Sequence, residues 1–530
     1  MAAVFWLLIQ LTLGLGIAYA VVGLRWWRKA PNPLPLPPGP RGYPLVGNIN
    51  DLPPPGTLEA RFWLQHKASF GPLSSVTVLG KCLVIINDAR LAFELFEKRS
   101  AKYSSRPKQV FAGEMVGWEK TLGLSPYNKR FRAIRKNLSR LIGSNTAAAS
   151  FEELQYAGIA HFLLHILQEP GDLVTHIRRL VGTTILKITY GYTAETHGHD
   201  ILIGMVGDSM EKFGRAAVPG AFMVDIFPFL KHVPEWMPGT AFKQTARQWE
   251  SEFLDAAEKP YAFVKHQMGK GTNEASFLSR LIDAESSDAE EVEINKWSAM
   301  SLYAAGADTT VSAIACFFLA MTLYPDIQER ARKEIDQVVG SDRLPATADR
   351  ERLPYIDAVV KETLRWHPVA PMGIPHQNTE DDVCEGYFIP KDSMLFANIW
   401  HFTHDPERYH DPFEFKPERF LPEAVRGPEP DPKQFVFGFG RRACPGNYLA
   451  DNTLFLTIAQ SLAVFSIEAG ETVNRDPETM FQSGVVSHPA PFASNNIKPR
   501  SPRHETLIKS LEESYPWQKS DGDILRGIVS

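Results

Sequence analysis

Residues 437 to 446 read FGFGRRACPG, and this turn restricts what can surround it more than any other stretch of the chain. Gly438 and Gly440 permit backbone conformations closed to residues with a side chain. Pro445 and Gly446 lead into an apolar-periodic run from Tyr448 to Phe465 that predicts a helix, which places Cys444 at a helix N-terminus. Free backbone N–H groups and the helix dipole favour a negatively charged sulfur there. Arg441 and Arg442 add positive charge beside it, and Phe437 can cover it with a ring. A thiolate held in this way is suited to bind a metal.

A lone cysteine is usually a small buried hydrophobe, but the ten-residue setting outweighs that reading. Gly438, Gly440 and Ala443 also satisfy G-x-G-x-x-A. No strand in a βαβ context leads into them, and no acidic residue stands at the ribose position about 20 residues on, so a dinucleotide site is rejected.

The five fixed positions of FxxGxRxCxG are filled by Phe437, Gly440, Arg442, Cys444 and Gly446, and the chain here resembles the cytochrome P450 family at its haem-binding loop. The resemblance covers roughly residues 35 to 500. It implies a mainly α fold with a smaller β region, holding haem b (iron protoporphyrin IX) through the Cys444 thiolate as axial ligand. Three further elements carry it. Ala305-Gly306-Ala307-Asp308-Thr309-Thr310 matches the family's oxygen-activation motif, which implies proton delivery with Thr309 nearest the reacting oxygen and Asp308 relaying from solvent. Glu362 and Arg365 match ExxR, and Arg419 of the PERF element (417–420) is expected to join them in a buried structural network. Arg442, His376 and Arg135 align with contacts to the haem propionates. Phe131 stands where family members commonly carry tryptophan, so one indole donor is missing.

A length of 530 residues with 44% apolar and 22% charged residues describes a globular chain with ample core. Net charge −5 argues against nucleic acid as a partner. The four cysteines, Cys82, Cys316, Cys384 and Cys444, show no paired or zinc-type spacing, which fits a reducing compartment. Residues 2–24 carry no charge and would span about 34 Å as a helix, enough to cross a bilayer. Arg25, Arg28 and Lys29 follow directly, so the expected topology is an uncleaved single-pass anchor with the rest of the chain in the cytosol. A basic and proline-rich hinge (25–44), the haem-thiolate domain (45–500) and a tail (501–530) without a readable motif complete the division. The sequon at Asn137 lies on the cytosolic side and is discounted.

Periodicity predicts a strand pair near 74–86, mostly helices to about 370, then strand-like pieces including DVCEGYFIP and SMLFANIW, and a meander from 405 to 436. The apolar segment 297–323 is long enough to span a membrane, but its central Asp308, Thr309 and Thr310 favour a helix buried in a large core.

The resulting expectation is a monooxygenase of the endoplasmic reticulum membrane that oxidises an apolar molecule. Its electrons come from NADPH through a separate cytochrome P450 reductase, with cytochrome b5 as a further candidate donor, since no flavin or nicotinamide module is present. The basic stretch Lys129, Arg130, Arg132, Arg135, Lys136 and Arg140 would face an acidic reductase. Cavity walls are expected from 106–124, 213–229, the start of the central helix, Val369 to Ile374 and Ser483 to Val486. Phrases such as VFAGEMVGWE and SGVVSHPAPF most resemble filamentous-fungal members of secondary metabolism, the O-methylsterigmatocystin oxidoreductase group. Two alternatives stay open: a haem-thiolate isomerase that does not use dioxygen, and a non-catalytic haem-binding protein.

Overall fold

The computed structural model describes residues 34–529, apart from 55, 219, 286–287, 425–426, 471–473, 475, 477–478 and 493–495. The expected anchor and the first part of the hinge lie outside the described residues.

The helix Ala289–Leu323 runs through the middle of the protein. Its start is set by Asp288, whose carboxylate accepts the Glu290 N–H at 3.0 Å, with Glu290 and Glu291 in the first turn where the dipole favours them. Residues 295–304 and 311–322 are buried, and between these two stretches the helix opens over 305–310, the segment carrying the motif. An apolar surface all round marks a helix enclosed by others. It is apolar enough to cross a membrane, yet it is a core helix, packed against Leu173–Tyr190, Lys129–Ile142, Ile201–Ala216 and Asn447–Val464.

The β region comprises β1 (Leu73–Val78), β2 (Lys81–Ile86), β3 (His376–Gln377), β4 (Asp382–Cys384), β5 (Tyr387–Ile389), β6 (Met394–Ala397), β7 (Phe465–Ile467) and β8 (Ile497–Pro499). The largest sheet has the order β1-β2-β6-β3, with β2 and β6 parallel and the other pairs antiparallel. The predicted pair near 74–86 and the DVCEGYFIP hairpin form as β1–β2 and β4–β5. SMLFANIW is strand only to Ala397. Asn398 Oδ1 then accepts the His401 N–H at 3.0 Å and starts the helix Ile399–His404, a cap that ends the strand.

The described part of the proline-rich segment lies against the sheet. Ser75 donates its N–H to the Pro38 carbonyl at 2.9 Å and its hydroxyl to that of Pro37 at 2.6 Å, and a Cβ on Gly39 would fall 1.8 Å from Ser75 O. At the other end, the tail forms two helices, Pro502–Ser514 and Gly522–Val529. These bury Ile508 and Leu525 completely against the helices Glu152–Gln168 and Ala241–Lys270, while Trp517 stacks on His161 at 4.0 Å.

Candidate active site

The cysteine turn is built as its glycines require. Gly438 and Gly440 have φ of 74° and 53°, and a Cβ on Gly440 would stand 2.2 Å from Phe96 O, so the backbone there passes directly over a neighbouring segment. Cys444 donates its N–H to Phe437 O at 2.7 Å, closing the loop, and Gly446 caps the helix Asn447–Val464. The Cys444 sulfur has accessible surface because it lines a cavity, although it sits deep within the protein. Burial raises its thiol pKa, opposed by the Gly446 N–H directed at sulfur and by the Arg135 charge.

The cavity has a volume of about 400 Å³ and reaches from Cys444 to the opened stretch of the central helix, where Thr309 and Thr310 line it. Most of the lining is apolar, from Leu122, Ile185, Phe213, Leu302, Ile374 and Val486 among others. The expected walls form in part. Positions in 106–124, Val369 to Ile374, and Val485 and Val486 line it, but among the described residues of 213–229 only Phe213 does. The middle of the central helix, from Ser301 to Ala313, replaces its start. The helix Leu173–Tyr190 adds Val181, Thr184, Ile185 and Ile188.

One rim is cationic, with no matching carboxylate bonded to it among the described residues. Arg442 donates to the carbonyls of Ser104, Leu122 and Ser125 at 2.6, 3.1 and 2.7 Å, and Arg106 donates to those of Gly123, Ile374 and Pro375 at 3.1, 2.6 and 2.9 Å. Burial pushes Arg106 down to about 9, and burial with the adjacent Arg106 and Arg135 charges pushes Arg442 down to about 8. Buried guanidinium groups with only carbonyl partners call for carboxylates, and the two propionates of haem b would supply them. Together with the sulfur and the apolar walls, this donor set fits haem b.

His376 lines the cavity, stacks on Phe96 at 4.1 Å and engages Tyr103 O through Nδ1 at 2.8 Å. Burial lowers its pKa, so with Nδ1–H given to Tyr103 it could donate to a propionate only as an imidazolium. Arg135 turns back onto the Ala443 carbonyl next to the cysteine. Phe131 keeps the packing role of the usual tryptophan, since the Arg442 guanidinium lies 3.8 Å over its ring. Arg106 was anticipated only as the first residue of an apolar wall. Nothing in the sequence sets it apart from the other charged residues of that loop, Lys108, Glu114, Glu119 and Lys120.

On the central helix the Thr309 hydroxyl donates to Ala305 O at 2.8 Å, one turn back, with its oxygen at the cavity. Gly306 has no Cβ to press on Ile185, whose Cδ1 would be 2.9 Å away. Asp308 lies outside the cavity lining and pairs with His488, Oδ1 to Nε2 at 3.2 Å. That histidine did not stand out in the sequence.

Glu362, Arg365 and Arg419 come together almost without exposure. Arg365 donates to both Glu362 oxygens at 2.7 and 2.9 Å and to the carbonyls of Thr403, Pro412 and Glu414 at 2.9, 2.7 and 3.0 Å. Arg419 reaches Glu362 at 3.2 Å and Glu429 at 2.6 Å. This network ties the meander before the cysteine turn to the helix Pro354–Trp366. On the outer side, Lys129, Arg132, Lys136 and Arg140 are exposed along the helix Lys129–Ile142, while Phe131, Ile134, Leu138 and Ile142 are buried.

A thiolate loop, a cationic rim and an opened central helix around one apolar cavity define the haem-thiolate class. The chain belongs to the cytochrome P450 family, whose family model, "Cytochrome P450", matches residues 37–495. It is 46% identical over 495 residues to cytochrome P450 monooxygenase claR of Ampulloclitocybe clavipes, covering 92% of this chain and 91% of that protein. It is 44% identical over 498 residues to cytochrome P450 monooxygenase ppsD of Aspergillus oryzae, with 92% and 94% covered. With O-methylsterigmatocystin oxidoreductase of Aspergillus flavus it shares 41% identity over 495 residues, 93% of each. The chain is accordingly a monooxygenase that uses haem b with a cysteine thiolate ligand.

Proposed function

We propose that this monooxygenase inserts one oxygen atom into an apolar secondary-metabolite intermediate at the endoplasmic reticulum membrane, drawing electrons from NADPH through a separate reductase. The observation that carries this reading is one continuous apolar cavity with Cys444 at one end and Thr309 at the other. Haem b, held by Cys444 with Arg106 and Arg442 toward its propionates and His376 beside them, would supply the oxygen chemistry. The protein's own groups bind, orient and deliver protons. The hydroxyls of Thr121, Thr184, Ser301 and Thr309 each donate to a backbone carbonyl three or four residues back. The walls therefore present apolar surface and hydroxyl acceptors, which suits a neutral substrate and disfavours a carboxylate. Thr309 would hold a proton at the cavity edge and Asp308 would replenish it. The exposed Lys129, Arg132, Lys136 and Arg140 would steer an acidic reductase to the cysteine side.

The test is the difference spectrum of the dithionite-reduced protein with and without carbon monoxide, for the chain and for Cys444→Ala. A Soret maximum near ~450 nm that the variant loses assigns the ligand. Reductase, NADPH and labelled dioxygen with apolar candidate substrates then test the reaction. Folded protein without a haem band refutes the reading.

A further inference from the structure

We propose that His488 is a positioning residue for the proton-delivery carboxylate, holding Asp308 on the flank of the central helix through its Nε2–H. The inference rests on the monooxygenase reading above, because only that reading makes Asp308 a proton carrier. Asp308 Oδ1 and His488 Nε2 are 3.2 Å apart, each about a quarter exposed at 24%. One turn along the same helix, Ser312 donates its hydroxyl to Ser487 O at 2.5 Å, so positions 308 and 312 grip consecutive residues of one segment.

That segment is itself fixed. Gln482 donates its N–H to His488 O at 2.8 Å, and Ser487 donates its N–H to Val369 O at 2.8 Å. The Ser487 hydroxyl bonds to Gln482 O at 2.6 Å and lies 2.8 Å from His367 Nε2. The turn so closed puts Val485 and Val486 on the cavity wall. His367 does not compete as a cation, since burial pushes it down to about 3. The Asp308 carboxylate is thereby held by a donor anchored in the wall beside the substrate, while its neighbour Thr309 faces the cavity. A carboxylate that swings freely finds its proton-accepting partner less often, and dioxygen activation without timely protons ends in peroxide release.

The experiment uses full-length holoprotein with reductase and NADPH, without added substrate, and reads the fraction of consumed dioxygen that leaves as hydrogen peroxide. His488→Ala is expected to raise that fraction roughly threefold, a size typical of coupling between contacting residues. His488→Gln, whose amide can also donate, is expected to restore it. Ser312→Ala, which loosens the same turn but spares the pair, is expected to leave it unchanged. An unaltered fraction in His488→Ala overturns the proposal, as does Gln behaving like Ala or Ser312→Ala matching His488→Ala. A second readout needs no turnover. With ¹⁵N-labelled histidine in the diamagnetic reduced carbon monoxide form, the His488 imidazole resonance, assigned by its loss in His488→Gln, is expected to shift in Asp308→Ala. An unmoved resonance overturns the pairing. If wild-type protein consumes no dioxygen while the resonance does shift, the monooxygenase reading fails and the pairing stands.

Discussion

Arg365→Leu removes the guanidinium at the centre of the buried network and leaves the Glu362 carboxylate, also fully buried, with the Lys416 N–H and Arg419 as its remaining partners. Two bonds to the carboxylate and three to main-chain carbonyls disappear together. Breaking a buried pair by removing one partner costs about 3–5 kcal/mol, a large part of the roughly 5–15 kcal/mol that holds a protein folded. With a urea dependence of about 3 kcal/mol per M, the unfolding midpoint followed by tryptophan fluorescence is expected to fall by roughly 1–1.7 M. Because the meander carries the cysteine turn, the ~450 nm carbon monoxide band should fade before the helices unfold. Adding Glu362→Leu should not recover the loss, since the carbonyls of Thr403 and Pro412 still lack the guanidinium that Arg365 gave them. A midpoint change equivalent to less than about 1 kcal/mol, the scale of an exposed ion pair, would refute this account.

Gly440→Ala places a Cβ 2.2 Å from Phe96 O at a φ of 53°, so haem content per folded protein, read from the carbon monoxide difference spectrum, is expected to fall sharply. Arg106→Leu removes a rim cation whose partners are all carbonyls, and haem transfer to apomyoglobin is expected to accelerate about tenfold, the loss of one charge-assisted bond. Asp349 is buried and held down to about 2, chiefly by Arg343, with help from the Ala346 N–H and Arg352. A depressed folded-state pKa stabilises above the unfolded value near 4 and loses its effect as pH falls toward 2. Asp349→Asn is therefore expected to cost about 2 kcal/mol at pH 7, and its gap from wild type in urea titrations should narrow at pH 3; a gap that widens in acid contradicts the sign.

Much of the site could be read from the sequence because local geometry enforces it. The Cys444 turn needs left-handed glycines at 438 and 440 and an arginine on the rim, and those residues stand within ten positions. The central helix is apolar on all sides except where it opens, so its burial and its motif could both be anticipated. What escaped depends on distant packing. His488 meets Asp308 from a proline-rich stretch with no periodicity linking the two. Thr184 and Ile185 line the cavity because Gly306 leaves room for the Leu173–Tyr190 helix to approach, a contact that neither segment announces alone. SMLFANIW was misjudged after Ala397 because apolar residues suit strand and helix alike, and the decision fell to the Asn398 cap. The tail offers no motif, yet the structure buries Ile508, Leu511 and Leu525 of it.

The cavity walls run from Arg106 to Val486, a separation of roughly 380 residues. A ribosome adding about 5–20 residues each second takes on the order of 20–75 s to cover that distance. Partners for the 106–124 wall emerge only in steps, first from Leu173–Tyr190 and then from the central helix, and the cavity cannot close until the Cys444 turn and then Val485 and Val486 have emerged. The order of synthesis thus makes haem capture one of the last events in the protein's maturation. Conditions that slow haem supply would leave a nearly complete chain with an open apolar interior, the state most exposed to chaperones and proteases.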